Sequence, residues 1–486
     1  MIAAISYDWR LASAALFGVG CLAAIFVGFP GDNGLILAAL VAIPAFLIIA
    51  GKFPEMFLVG CAFMPQWKNA WPLDRFAGIG DLTLVVLLGL VVGVSWRTLR
   101  HIGGLERETF SHLFRGQWLV LTAYFLFCGA VLASYSYTSA PNYGGVKLIR
   151  FLLIGGFFLF SGLVLVRDEA EFRRISLLFV LAACVTALQM IFHLEHRDVG
   201  AETDITRIGA GWLLGMSILL LVAYPNLRNA RRNLIFIVVA LPLLSAGLIA
   251  SAARGPLVSL AIALPLTLVW FAKQRSSGWV VAALMIGSCV AAFVYLRHVD
   301  PDKYNAKLSE MIELSSGQTA SGSGVKRFVF YSKTLAAIPD NLWLGQGVGS
   351  WSMFYYGRDT RGYPHNLFLE TTFEEGIVGE LLLLGFLYLL ASATRRMLKT
   401  TKLQYGVIAG LLLYCVSVSM FSGDLDDNRI LWLWAGITMA VCRNAYLESR
   451  QRSLLNRYTR EVASPVAEVA VSSTNPIFAH PQVLES

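Results

Sequence analysis

Apolar runs separated by short polar breaks occupy most of the chain. A helix needs roughly 20 apolar residues to cross the hydrocarbon core of a membrane, with a range of about 17–25. Candidate runs lie near 11–29, 34–50, 53–65, 81–95, 117–135, 147–166, 174–193, 208–224, 233–251, 255–272 and 278–296, and again near 377–394, 403–421 and 428–442. The first is too long for a signal-peptide core and lacks a cleavage site, so it reads as a retained span. Residues 297–376 break the pattern. There Tyr304, Leu308 and Met311 recur at helical spacing, Ser315 to Gly324 form a flexible joint, and Val325, Phe328, Tyr331 and Leu335 mark a second helix ended by Pro339-Asp340-Asn341. The polar segment 443–486, with Pro465, Pro476 and Pro481, predicts a disordered tail. The expected fold is an all-α polytopic membrane protein with about 14 (12–14) transmembrane helices. Helices 1–11 fall in 1–296, a long helical loop or cap in 297–376, and helices 12–14 in 377–442.

Composition agrees with lipid as the solvent. Of 486 residues, 56% are hydrophobic and 14% are charged, against about 25% charged in soluble proteins. The net charge of +8 does not indicate nucleic acid, because the basic residues punctuate apolar runs and form no single patch. All seven cysteines fall within or at the ends of apolar runs, with neither a disulfide framework nor zinc spacing. They read as small buried hydrophobes. With the N-terminus in the cytoplasm, most of the 39 lysines and arginines fall on the cytoplasmic side, among them Arg97, Arg115, Arg231 and Arg395. The expected localisation is therefore multi-pass, with both termini cytoplasmic and the 297–376 loop on the opposite face.

Charges at bilayer depth are costly and call for a reason. Asp81, Lys147, Arg150, Arg207, Arg254 and Glu380 flank or enter spans, and this topology puts each at the outer end. A midplane transport site would show charges at mid-span instead. Arg254 stands in the tight hairpin Ser251-Ala-Ala-Arg254-Gly255, and Arg207 opens a span beside Gly209 and Gly211. An arginine offers a planar fork of donors suited to phosphate oxygens, although it can also simply anchor a helix at the headgroups. Within the loop, Gly345-Gln-Gly347-Val-Gly349 precedes Tyr363-Pro364-His365-Asn366, Glu370 and Glu374. The glycine run lacks the strand–turn–helix context and lysine of a nucleotide loop. Pro364 suits the first turn of a helix, which would align Asn366, Glu370 and Glu374 on one face. His365 is either a solvated or structural histidine or a general base.

These motifs, in this order, resemble the O-antigen ligase and polymerase family. The resemblance covers about 207–380 and rests on Arg207-Ile-Gly209, Ala253-Arg254-Gly255, Arg327, Pro339, Gly345, Gly347, Gly349, His365-Asn366-Leu367-Phe368-Leu369 and Glu374-Glu375-Gly376-Ile-Val-Gly379. Two positions depart from the pattern. Ala253 stands where a serine usually precedes the Arg-Gly pair, and the asparagine common downstream of the first arginine is missing after Gly211.

The resemblance implies a GT-C-like, metal-independent, inverting glycosyltransferase of the bacterial inner membrane, with a periplasmic active site and no cofactor. Its donor would be a glycan on a polyprenyl diphosphate. Its acceptor would be a second lipid-linked unit for an O-antigen or exopolysaccharide polymerase, which the span count favours, or lipid A core for a ligase. On this reading Arg207, Arg254 and Arg327 bind the diphosphate. His365 orients the acceptor hydroxyl or takes its proton, and Glu370 or Glu374 stands behind it as a second base, unless Glu374 only sets the loop-to-span turn. Membrane lipids are partners and nucleic acid is not. The rival from another class is a transporter of anions or lipid-linked sugars.

Overall fold

The computed structural model describes residues 44–67, 82–102, 114–192, 200–222, 230–272, 323–400, 406–421 and 423–472, with single positions at 287 and 294. Among them every regular element is helical. They are α1 (Pro44–Lys52), α2 (Pro54–Trp67), α3 (Leu82–Ile102), α4 (Trp118–Ser134), α5 (Pro141–Leu165), α6 (Glu169–Ile191), α7 (Gly200–Val222), α8 (Ala230–Ala250) and α9 (Arg254–Ala272). After these come α10 (Ser323–Ala337), the short α11 (Trp351–Tyr356) and α12 (Leu367–Glu374), then α13 (Gly376–Thr400), α14 (Gly406–Ser419) and α15 (Arg429–Ser472).

Five helices among the described residues are long and apolar enough to cross a membrane, or six if one bent pair counts as a span. Five shorter apolar helices add to the bundle: Thr83–Leu99, Arg207–Leu221, Phe236–Ala250, Arg254–Val269 and Gly406–Ser419. The protein is thus a multi-pass helical membrane protein. The run 11–29, the run 278–296 apart from positions 287 and 294, and the helix proposed around Tyr304, Leu308 and Met311 lie outside the described residues.

Three details differ from the pattern read along the chain. The described part of the run 34–50, α1, and the run 53–65, α2, form one pair bent by 95°. Pro54 explains the break, since it supplies no N–H to continue a helix and disfavours helical backbone at Phe53. The helix of the last span does not stop near residue 442. As α15 it continues to Ser472, through most of the segment expected to be a disordered tail. An i,i+4 pair between Glu448 and Arg452 (3.6 Å) and the good helix formers around them favour that continuation. Finally, Lys147 does not begin a span but lies inside α5, which starts at Pro141.

The bundle is centred on α15, whose membrane-length window is 83% buried. It crosses α5 at the closest approach that backbone permits. A Cβ on Gly162 would lie 2.6 Å from the Leu433 carbonyl oxygen, and one on Gly436 would lie 1.9 Å from that of Leu159. Small residues allow such crossings where lipid offers no hydrophobic drive between helices. Around this crossing, Tyr124, Phe127, Phe151, Phe386 and Trp432 pack as tilted and edge-on rings.

Candidate active site

One end of the bundle gathers the loop and the ends of α4, α5, α9, α13, α14 and α15. The glycine run makes the joint. Gly345, Gly347 and Gly349 have φ of +71°, +91° and +78°, a region L side chains rarely adopt. Their amides are taken by the fold: Gly345 N donates to Asn341 O (2.9 Å) and Gly347 N to Glu374 O (2.8 Å). Val348 N donates to Ser134 Oγ (3.1 Å), and Thr138 Oγ1 donates back to Val348 O (2.8 Å). The run therefore wedges the loop between the α4–α5 corner and the start of α13, and it is no phosphate cradle.

Helix α12 begins later than the Pro364 pattern suggested. Asn366 is its N-cap, its side-chain oxygen accepting from Phe368 N and Leu369 N at 3.1 Å each. Pro364 and His365 precede the helix, because only the capped turn supplies partners for its first amides. Glu370 and Glu374 do share a face, as their i,i+4 spacing requires, and that face is fully buried.

There they meet Lys147. The buried Nζ donates to Glu370 and to Glu374 (2.5 Å) and forms an ion pair with Asp424, 3.2 Å away. Asp424 also accepts from the Tyr143 hydroxyl, and Leu425 N donates to Glu370 at 3.2 Å. One ammonium thus faces three carboxyl groups in a site without water access. Burial, together with Asp424, pushes the Glu370 carboxyl well above its usual range. Burial also raises Asp424, but Lys147 and hydrogen bonds from Glu370 and Tyr143 outweigh it and hold Asp424 at about 2. Burial and the Asp424 charge push Asp426 up to about 8, and burial and Glu374 raise Glu375 well above its usual range. Arg150 lies 3.7 Å from Asp426, and Arg361 pairs with Asp427 while lying over the Tyr363 ring.

His365 sits at the edge of this cluster with φ +62°, a strained value for a non-glycine residue. Its carbonyl accepts from the Tyr331 hydroxyl (3.2 Å), which also contacts Met420 O at 3.3 Å. The imidazole stacks on Phe330 and packs edge-on against Tyr363, and its buried Nδ1 has no hydrogen-bond partner. Burial first, then the cation Arg327, lower it to about 4; Asp424 opposes them, and Arg361 adds a smaller lowering effect. The ring is therefore neutral at pH 7. It can accept a hydrogen bond but holds a captured proton weakly.

The hairpin of Arg254 and the helix of Arg207 approach the same region. A Cβ on Gly255 would lie 2.8 Å from Phe421 Cβ, and one on Gly423 would lie 2.9 Å from the Trp212 ring. A Cβ on Gly211, one turn beyond Arg207, would lie 3.0–3.1 Å from Ala253, Pro256 and Ser251. The turn from Met420 to Asn428 thus touches the Arg254 hairpin, the Arg207 helix, the Tyr331 contact to His365 and the Lys147 cluster. Both Arg207 and Arg254 are only half-buried. Among the described residues, no group of three or more His, Cys, Asp or Glu side chains is arranged to hold a metal ion.

The motif-bearing stretch from the end of α8 to the start of α13 coincides with a known domain. Residues 239–384 match the O-antigen ligase family. Among curated proteins none matches the chain. The O-antigen ligase domain includes the Arg254 hairpin, Arg327, the glycine run, His365, Glu370 and Glu374, while Arg207 and Lys147 precede it and Asp424 follows it. Family members are membrane enzymes of glycan assembly of ligase or polymerase type, working on lipid-linked glycans. Sequence reasoning missed Asp424, Asp426, Asp427 and Arg361, and gave Lys147 no role. The available signal was the run Asp424-Leu-Asp426-Asp427, three acids in four residues between two apolar stretches.

Proposed function

We propose that this protein transfers a glycan from a polyprenyl diphosphate to a sugar hydroxyl, with inversion and without a metal, at the end of the bundle that carries Lys147 and His365. That end faces the periplasm in this reading, because the basic residues flanking the spans concentrate at the other. The supporting observation is the convergence on the Met420–Asn428 turn of the Arg254 hairpin, the Arg207 helix and the Tyr331–His365 contact. Transfer forms a bond from the acceptor oxygen to the anomeric carbon and breaks the bond from that carbon to the diphosphate. Negative charge grows on the leaving oxygens, and fixed guanidinium groups of Arg207, Arg254 and Arg327 would stabilise it more in the transition state than before it. The neutral His365 ring accepts a hydrogen bond from the attacking hydroxyl. Its low proton affinity suits orientation of the hydroxyl and brief acceptance of its proton.

The acceptor is a second lipid-linked repeat unit, the reading from the span pattern, or lipid A core, the reading that the family's description favours. Deletion of the protein followed by analysis of surface polysaccharide tests this. Single repeat units with no polymer indicate a polymerase, and polymer stranded on the lipid carrier indicates a ligase. Unchanged polysaccharide sinks both.

A further inference from the structure

Lys147 takes part in no step above, yet it is fully buried and joins three distant parts of the chain. Glu370 and Glu374 belong to α12, the helix that follows His365 and Asn366, and Asp424 belongs to the turn between α14 and α15. Immediately after Lys147 the span widens into a π-helical turn, Arg150–Gly155, of a kind often found at functional sites. Where α12 docks decides where His365 points, because the Asn366 cap fixes the entry of the chain and the Tyr331 hydroxyl holds the His365 carbonyl. The left-handed backbone at His365 persists only if its surroundings over-determine it.

We propose that Lys147 and Asp424 are positioning residues for the transfer reaction: together they clamp α12 to the Met420–Asn428 turn and so aim His365 at the acceptor, beside the arginines proposed to hold the diphosphate. This rests on the glycosyl-transfer reading. The clamp is asymmetric, with more carboxyl groups than cations. The groups facing Lys147 are Tyr143 on its own span, Glu370 and Glu374 on α12, and Asp424 on the turn, with Glu375 and Asp426 just beyond and Arg150 paired to Asp426. Without the ammonium these carboxyl groups stay buried only while protonated, so the clamp would loosen as pH rises.

The test uses full-length enzyme in lipid nanodiscs with a polyprenyl-diphosphate-linked oligosaccharide, comparing wild type, Lys147→Met, Asp424→Asn and the double variant. Lys147→Met is expected to lower kcat per folded molecule by about tenfold or more, as a misplacement of about 1 Å can do. Binding of polyprenyl diphosphate should change by less than about twofold, since the proposed phosphate ligands are untouched. Activity of Lys147→Met should fall further between pH 6 and 8, a slope wild type lacks. The double variant, which removes one charge of each sign, should recover part of the loss and flatten the slope. Asp424→Asn alone should lower kcat with donor binding intact. Single variants with wild-type kcat across that range would overturn the proposal. So would losses of kcat and donor binding that merely follow the folded fraction, including failure of all three variants to fold. Wild type that binds donor but transfers nothing would instead overturn the glycosyl-transfer reading.

Discussion

Gly347→Ala separates an architectural glycine run from a ligand-binding one. The residue sits at φ +91°, and an added Cβ would lie 2.4 Å from Thr138 Cα, 2.7 Å from Thr138 N and 2.8 Å from Ser134 O. All three are backbone atoms of the α4–α5 corner, so no side chain can swing aside. Left-handed backbone costs an L residue about 1–2 kcal/mol, and forced overpacking adds about 1–3 kcal/mol. Gly357 is the matched control. Its φ is +67°, but a Cβ there meets nothing within 4 Å, so Gly357→Ala bears the backbone cost alone. Gly347→Ala should therefore be the less stable variant by about 1–3 kcal/mol. Thermal unfolding in detergent, followed by tryptophan fluorescence and size exclusion, measures the difference. Equal melting temperatures would refute the wedge. Nucleotide should protect neither variant, because the Gly347 amide is already donated to Glu374 O.

Three further outcomes follow from the site. His365→Ala should lower turnover by about 10²–10⁴-fold with donor binding nearly unchanged. Wild-type turnover should stay flat as pH falls from 7 towards 5, because the depressed imidazole protonates only near 4; a midpoint near 6.5 that disappears in His365→Gln would contradict the burial argument. Arg207→Ala and Arg254→Ala should each abolish transfer and weaken polyprenyl diphosphate binding, with lysine rescuing poorly because it lacks the bidentate fork; near-normal polymer in both would reduce them to interfacial anchors. Cysteines introduced at 340 and 460 should be labelled from the periplasm and the cytoplasm respectively, and cytoplasmic labelling at 340 would put donor and site on opposite sides.

What the sequence conveys about this fold depends on the range of the interactions. Helix α10 was legible because Val325, Phe328, Tyr331 and Leu335 repeat at helical spacing, and it ends near Pro339 as the pattern predicts. The common face of Glu370 and Glu374 was likewise a local property of spacing. What that face meets was not local. Lys147 lies more than 200 residues away from either glutamate, and no periodicity links a lysine inside one span to acids in a loop and a turn. The start of α12 was misplaced because Pro364 and Asn366 are both good first-turn signals, and the cap hydrogen bonds alone decide between them. The run of α15 to Ser472 was not legible because the prolines and polar residues there weigh towards disorder, whereas a helix already nucleated propagates cheaply.

The two ends of the bundle differ in the balance of their buried charges. At the opposite end, buried Arg97 bonds Glu171 and Glu55 (3.2 Å), and Arg174 reaches the same two carboxylates. Arg443 there donates to the Leu163 and Val166 carbonyls at the end of α5. In that network cations match or exceed carboxylates, and free helix-end carbonyls are satisfied, which is what architecture alone requires. At the Lys147 end the balance is reversed. Glu370, Glu374, Glu375, Asp424 and Asp426 are all buried, and each keeps at least one side-chain oxygen without a hydrogen-bond partner. Such an arrangement costs stability at neutral pH unless protons are retained. Excess buried acid beside a strained, neutral histidine is a local expense of the kind folds carry at reaction sites, and it favours the role proposed for this end of the bundle.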